Sequence, residues 1–379
     1  MAKINVRSPY FVNVAATNLT SAKLELYVYT GTVSGSWTGS ITYTLTSTAV
    51  GAAVTFEISE LIRDYLTTGF DGEYNTNVLY STINVDYRIT KSVSGSAQSP
   101  DTAVLGLRAF DGYGYFEDGA NPQLLQGLLI SNTIILKPDD SPLRIPVDAN
   151  NTTSVAFFSG GVEIYTDSVA NVTDSDNWIE YITNITQDGA DGYKDRVLEN
   201  GGTFEDNLCV ENFLRETNLY PVDTVYVNAT EGVTKLEVRN IEECIRTPYK
   251  IVFVNKYGAL QDLWFFKKST LALNTQQEKF KRNIVSSGSY NTYSHQDDVL
   301  YKNGRQSLQL NTGFYPEEYN DVFKELMLSE MVWIEYGANN NLPVTILSSA
   351  FNYKTSINDR LINYTIDIEF AFQAINNIR

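Results

Sequence analysis

The sequence predicts a mainly β protein: tandem β-sandwich domains followed by an antiparallel β-meander domain with one packed helix. Three observations carry this. Apolar residues recur at every second position in short runs, and Gly, Asn, Asp and Ser separate the runs. The 379 residues include 25 tyrosines and 18 phenylalanines but 3 methionines, and flat rings suit a pleated surface. The stretch from Lys250 to Lys268, KIVFVNKYGALQDLWFFKK, reads as a hairpin dense enough in aromatics to need partners on both faces.

In residues 1–108, Leu24, Leu26 and Val28 alternate with Glu25, Tyr27 and Tyr29. Ile41, Tyr43 and Leu45 form a second strand, and Val54, Phe56 and Ile58 a third. Ile83, Val85, Tyr87 and Ile89 form another. This period of two places one face in a core and one in water, so the segment reads as an N-terminal β-sandwich. One short helix is expected, capped by Ser59, with Leu61 and Tyr65 on one side.

Residues 109–127 (AFDGYGYFEDGANPQLLQG is 109–127) form a connector rich in glycine and aromatics. It reads either as an ordered linker or as a docking loop for a neighbouring subunit, with Tyr113, Tyr115 and Phe116 as candidate subunit-contact residues.

Residues 128–270 read as a second β-sandwich that closes on the Lys250–Lys268 hairpin, whose turn is Asn255-Lys256-Tyr257-Gly258. A short internal echo links Phe56-Glu57-Ile58 and a following helix to Leu236-Glu237-Val238 and a helix through Ile245-Arg246, with Asn240 and Glu243 at capping-box spacing. Chance and two related sandwiches both remain open as explanations.

Residues 271–379 read as a C-terminal α+β meander domain. A polar segment to about Arg305 leads into a helix with Pro316, Glu317 and Glu318 in its first turn, and an apolar stripe of Tyr319, Val322, Phe323 and Leu326. Four strands follow: 331–336, 342–347, 351–354 and a last one. In that last strand Ile362, Tyr364, Ile366, Ile368, Phe370 and Phe372 share a face.

Chemistry is sparse. A net charge of −17 argues against a nucleic-acid surface, which needs a clustered positive field. The basic run Lys267, Lys268, Lys279, Lys281 and Arg282 reads as a solvated face or a subunit contact. Cys209 and Cys244 lack the close-spaced partners of a zinc site and read as free buried thiols. With the single His295 in a polar stretch and no G-x-S-x-G elbow, no catalytic triad is nominated. No Walker A, GxGxxG, HExxH or CxxC occurs. No cofactor, metal site or catalytic residue is therefore expected. The loop Asp188–Asp195 carries oxygens that could wrap calcium, but its spacing fits an Asp-Gly turn better. The N-terminus has no apolar leader and no stretch reaches membrane-spanning length, so synthesis in a cytoplasm without membrane insertion is expected.

Asn255-Lys256-Tyr257-Gly258-Ala259 before Trp264-Phe265-Phe266 resembles a motif of virion structural proteins of tailed bacteriophages. The run Glu325–Glu330, then Val332-Trp333-Ile334, Leu342-Pro343-Val344 and Tyr364–Ala371, is similar to that group as well. The N-terminal sandwich looks like the fibronectin- or immunoglobulin-type modules found on phage tails. The resemblance implies a non-enzymatic tail, baseplate or tail-adaptor subunit of the virion. Its implied partners are other virion proteins and further copies of itself in a ring or spike. A carbohydrate-binding fibre or adhesin module, using exposed aromatics such as Tyr113 or Trp37, is the alternative. A glycan-cleaving enzyme with paired carboxylates is a further one.

Overall fold

The computed structural model describes residues 3–33, 35–70, 72, 82–124, 126–138, 141–169, 178–183, 222–243, 245–337, 340–348 and 361–375. Cys209, Cys244, the Asp188–Asp195 loop and the strand expected at 351–354 lie outside them. The fold is mainly β.

The first sandwich contains β1 (Lys3–Asn5), β2 (Phe11–Ala15), β3 (Leu19–Tyr29), β4 (Tyr43–Thr48), β5 (Ala53–Glu57), α1 (Ser59–Arg63), β6 (Thr82–Val93), β7 (Ser96–Ala97) and β8 (Val104–Phe110). Its main sheet runs β1-β8-β6-β3-β4, with β7 beside β6, and β2-β5 form the facing sheet. Val12, Val14, Val54 and Phe56 of the small sheet meet Leu24, Leu26 and Val85 of the large one in a single core.

The helix differs from expectation by one residue. Ile58, not Ser59, holds the N-cap, and the Ser59 hydroxyl donates to Glu57 instead. Each helical residue turns the chain by about 100°, so the buried pair is Ile58 and Ile62, whereas Tyr65 is 40% exposed.

The second sandwich contains β9 (Ile134–Pro138), β10 (Arg144–Asp148), β11 (Thr152–Ser159), β12 (Val162–Ser168), β13 (Ile179–Thr183), β14 (Thr224–Ala229) and β15 (Gly232–Ile241). With the two-residue β7 set aside, its topology repeats the first. In each, the first strand lies parallel to the last, the sheet continues through the sixth, third and fourth strands, and the second and fifth pair separately. The internal repeat is therefore present at a different offset from the expected one. The counterpart of β5 is β13, not β15. Asn240 and Ile241 complete β15, and 245–246 form a bend, so the described residues show no helix where the echo placed one.

The third unit contains β16 (Tyr249–Val254), β17 (Leu260–Phe265), β18 (Thr270–Lys281), β19 (Asp297–Pro316), α2 (Tyr319–Leu328), β20 (Val332–Glu335), β21 (Asn341–Ile346) and β22 (Leu361–Phe370). They form one antiparallel sheet in the order β17-β16-β20-β21-β22-β19-β18. The Lys250–Lys268 hairpin thus belongs to this sheet, which runs across position 270. The segment read as polar up to about Arg305 contains β18 and the start of β19. Pro316 ends β19, and Glu318 is the N-cap of α2.

On α2, Tyr319, Val322, Phe323 and Leu326 are buried as the stripe predicts. They pack on Ile251, Phe253, Leu308, Leu310, Ile366 and Ile368. Phe323 sits between Tyr364, Tyr315 and Phe265 with centroids 4.3, 6.0 and 6.5 Å away. On β22, Tyr364, Ile366, Ile368 and Phe370 share the buried face, whereas Phe372 lies past the strand end and is exposed.

The alternate residues of β16, Val252 and Val254, enter a different core with Leu260 and Trp333. This core also takes Phe70 and Phe110 from the first unit and Leu129, Trp178 and Tyr181 from the second. All three units meet here, so β16 is buried on both faces. Beneath the joint, Asp148 pairs with Lys3 at 2.5 Å and Arg108 at 2.9 Å.

Candidate assembly surface

The sheet leaves the body at its β18 edge. All residues of β18 are exposed, so neither face carries the apolar alternation that a core would impose. Cross-strand pairing with β19 holds it, from Thr270 opposite Gln309 to Lys281 opposite Asp297, with a bulge between Glu278 and Lys279. β19 pairs with β22 only from Ser307 onward. The C-terminal residues support a little more: Ala374 N–H donates to the Gly304 carbonyl (2.7 Å) and Tyr301 Oη to Gln373 (3.0 Å). From 276 to 300 every residue but Ile284 and Asp298 is exposed. Six residues of ribbon extend roughly 20 Å at about 3.4 Å each.

At the tip, Ser286 and Ser289 exchange backbone hydrogen bonds across Ser287 (φ 53°) and Gly288 (φ 77°). Two consecutive positive φ values make the tight turn that matches strand twist. Of the 23 large apolar side chains exposed among the described residues, nine lie in 270–305. That segment is about a tenth of the chain, so the arm is where apolar surface concentrates. Leu271, Leu273, Phe280, Tyr290, Tyr293 and Leu300 are among them. The lone His295 is exposed near the tip.

The connector lies against the 255–258 turn. Tyr113 N–H donates to the Lys256 carbonyl at 2.8 Å. A Cβ on Gly112 would stand 2.6 Å from that same oxygen, and one on Gly258 (φ 79°) 2.9 Å from the Asp111 backbone. The turn itself is organised by Asn255. Its Oδ1 accepts from Tyr257 and Ala259 N–H (3.0 and 3.1 Å), and its Nδ2 donates to the Leu129 carbonyl (2.7 Å) and Gln261 Oε1 (3.0 Å).

The three connector residues expected to touch a neighbouring subunit have separate fates. Tyr113 is 7% exposed, with the Arg7 guanidinium 4.8 Å above its ring, so it is used inside the chain. Burial pushes its hydroxyl pKa up. Tyr115 is half-buried under Lys324, whose Nζ is 3.5 Å from the ring centroid. Phe116, on a short 3-10 turn (Phe116–Asp118), is 99% exposed and free to meet a partner. Trp37 is half-buried with the Arg88 guanidinium 5.0 Å over its ring. Neither Tyr113 nor Trp37 is an open stacking platform.

The carboxyls with raised pKa values are the partly or fully buried ones. Burial pushes Asp86, Asp111, Glu180 and Glu325 up. Glu325, fully buried on α2, accepts from the Ser131 hydroxyl and from Lys256 N–H at 3.4 Å, with Lys256 Nζ 3.8 Å away. It cross-links the second unit, the hairpin turn and α2. A cleft between β9, β10 and β17, lined by Leu136, Arg144, Gln261 and Trp264, has a volume of about 30 Å³, where about 10–15 Å³ of such space holds one water. Among the described residues no three of His, Cys, Asp or Glu converge as metal ligands, and no helix is long and apolar enough to cross a membrane.

Comparison with models of known protein families and with curated proteins returned no match, so no activity or partner transfers from a relative. The arm is the feature that sequence reasoning missed as structure. Its signal was the basic run through Lys279, Lys281 and Arg282, because Leu271 and Leu273 alternate over too few positions and Phe280 is out of phase with them.

Proposed function

We propose that this chain is a non-enzymatic structural subunit of a tailed-phage virion, a tail, baseplate or tail-adaptor component that works through contacts with its neighbours. The observation that carries the reading is the β18–β19 arm, a solvated ribbon rich in exposed apolar side chains and anchored in a body whose three units share one core. A two-stranded ribbon is marginal alone in water, and a long open strand edge is something proteins normally cover. A subunit that completes its own surface inside an assembly has both features. The likeness of Asn255–Ala259 to a virion motif supports the same reading, because that turn joins all three units. Other virion proteins and further copies of the chain are its partners in this reading, and the virion is its location. Mass spectrometry of purified virions, together with light scattering on the isolated protein, tests it. A chain absent from virions and monomeric in isolation removes the proposal.

A further inference from the structure

We infer that the β18–β19 arm is a clasp for a second copy of this chain, lying lengthwise on the neighbour's acidic body. The inference rests on the structural-subunit reading above and names the partner of its exposed surface. Three observations lead to a second copy. Among the described residues β18 pairs with β19 alone, which leaves the arm an open edge along β18. Water surrounds both faces of the outer ribbon, while Phe280, Val299 and Leu300 stay exposed on it. A partner must therefore cover apolar side chains as well as backbone groups.

Charge selects the partner. Residues 270–305 carry five Lys or Arg and three Asp or Glu, a net +2, within a chain of net −17, which leaves −19 on the rest. Arg282 and Arg305 have ion partners in Asp298 and Glu369. Lys279, Lys281 and Lys302 are exposed and form no ion pair among the described residues. The remainder of another copy is an acidic surface present at the same concentration. An arm on one face docking onto a different face is a head-to-tail contact, which closes into a ring when the rotation permits.

The test uses the full chain and two variants. In one, residues 279–300 are replaced by Asn-Gly. Glu278 and Tyr301 are direct cross-strand partners, so a two-residue turn joins them without disturbing the body. The other is Lys279→Glu/Lys281→Glu/Lys302→Glu, which leaves the ribbon's pairing intact. Light scattering and sedimentation velocity are run across concentration and salt, with circular dichroism and urea midpoints as controls for folding. The expected result is a wild-type oligomer that weakens with added salt. The shortened chain is then a folded monomer, and charge reversal weakens association by roughly tenfold or more. A wild-type chain that stays monomeric, or an oligomer that survives loss of the arm, overturns the inference. So does an arm that is buried only when another virion protein is added. Mass spectrometry of virions separates the two readings. A monomer found in virions ends the clasp and leaves the subunit role, whereas an arm-dependent oligomer missing from virions does the opposite.

Discussion

Arg108 and Asp148 form a 2.9 Å ion pair with both side chains fully buried, and the pair ties β8 of the first sandwich to β10 of the second. Lys3 adds a second cation 2.5 Å from the same carboxylate. The Arg108 guanidinium lies 5.0 Å over Trp178, and its Nε and Nη2 have no partner among the described residues. Replacing the shared anion by Asp148→Asn strands two buried cations, so we expect a loss of about 3–5 kcal/mol in urea unfolding. The joint replacement Lys3→Met/Arg108→Met/Asp148→Leu is expected to cost much less, because it removes the desolvated charges together. Equal losses for the two variants would contradict this account.

Asn255 provides a second expectation. It satisfies the buried backbone N–H groups of Tyr257 and Ala259 and the buried Leu129 carbonyl of the second unit. Asn255→Ala leaves these groups unpaired, at about 1–3 kcal/mol for each buried group that water cannot reach. Protonated Asn255→Asp keeps the acceptor and has one O–H donor in place of the amide's two, which serve the Leu129 carbonyl and Gln261 Oε1. Urea midpoints are expected to fall in the order wild type, Asp, Ala at pH values where the new carboxyl stays neutral.

How much of this was legible depended on what each face of a strand meets. β22 has one face in a core and one toward water, so its alternation was readable, whereas on β6 the polar face of Thr82, Asn84 and Asp86 is buried along with Ile83 and Val85. β16 is buried on both faces and reads as a continuous apolar run. β18 meets water on both faces, which removes any period and hides it among polar segments. The duplication of the two sandwiches was sensed but misaligned, because it survives in strand order while equivalent strands such as AVTFE (β5) and IEYIT (β13) share no motif. The connector was legible only in outline. Tyr113 and Phe116 are aromatics of the same short segment, and only the approach of the 255–258 turn decides that one is buried and the other bare.

Gly112 and Gly258 set the closeness of that approach. Gly258→Ala combines a left-handed backbone with a Cβ 2.9 Å from Asp111 backbone atoms. A non-glycine residue in that conformation costs about 1 kcal/mol or more before any clash. Gly112→Ala has no such φ but meets the Lys256 carbonyl at 2.6 Å. Both variants are expected to lose stability and to speed amide exchange at Tyr113, whose N–H bonds to that carbonyl. Unchanged exchange at Tyr113 would show that the loop gives way without cost.

Phe116 is the converse case. Its ring is almost entirely in solvent, so Phe116→Ser is expected to change unfolding free energy by no more than about 0.5 kcal/mol. Weaker association of this variant, with an unchanged urea midpoint, would mark the connector as a contact surface beside the arm. A large loss of stability would show that the ring is covered within a single chain.

The interior carboxyls predict the direction of the pH response. Burial raises the Glu325 pKa above its ordinary 4.5 despite the Ser131 hydroxyl and the nearby Lys256, and Asp321 adds to the rise. Asp86, Asp111 and Glu180 are raised by burial as well. A carboxyl with a raised folded pKa holds its proton more tightly folded than unfolded. Its contribution to stability therefore falls as pH climbs from the ordinary value through the raised one. Glu25 works the other way, held down by hydrogen bonds from Lys23 and Arg88, and favours the fold once pH exceeds the unfolded carboxylate range. Glu325→Gln cannot ionise; its Oε1 accepts from Lys256 N–H while its Nε2 donates to the Ser131 hydroxyl oxygen, so both contacts persist with one reversed. As pH rises above the ordinary carboxylate range, the wild-type urea midpoint is expected to decline relative to that of Glu325→Gln. Parallel pH profiles for the two proteins would mean that Glu325 stays ionised in the core, with Lys256 compensating its charge.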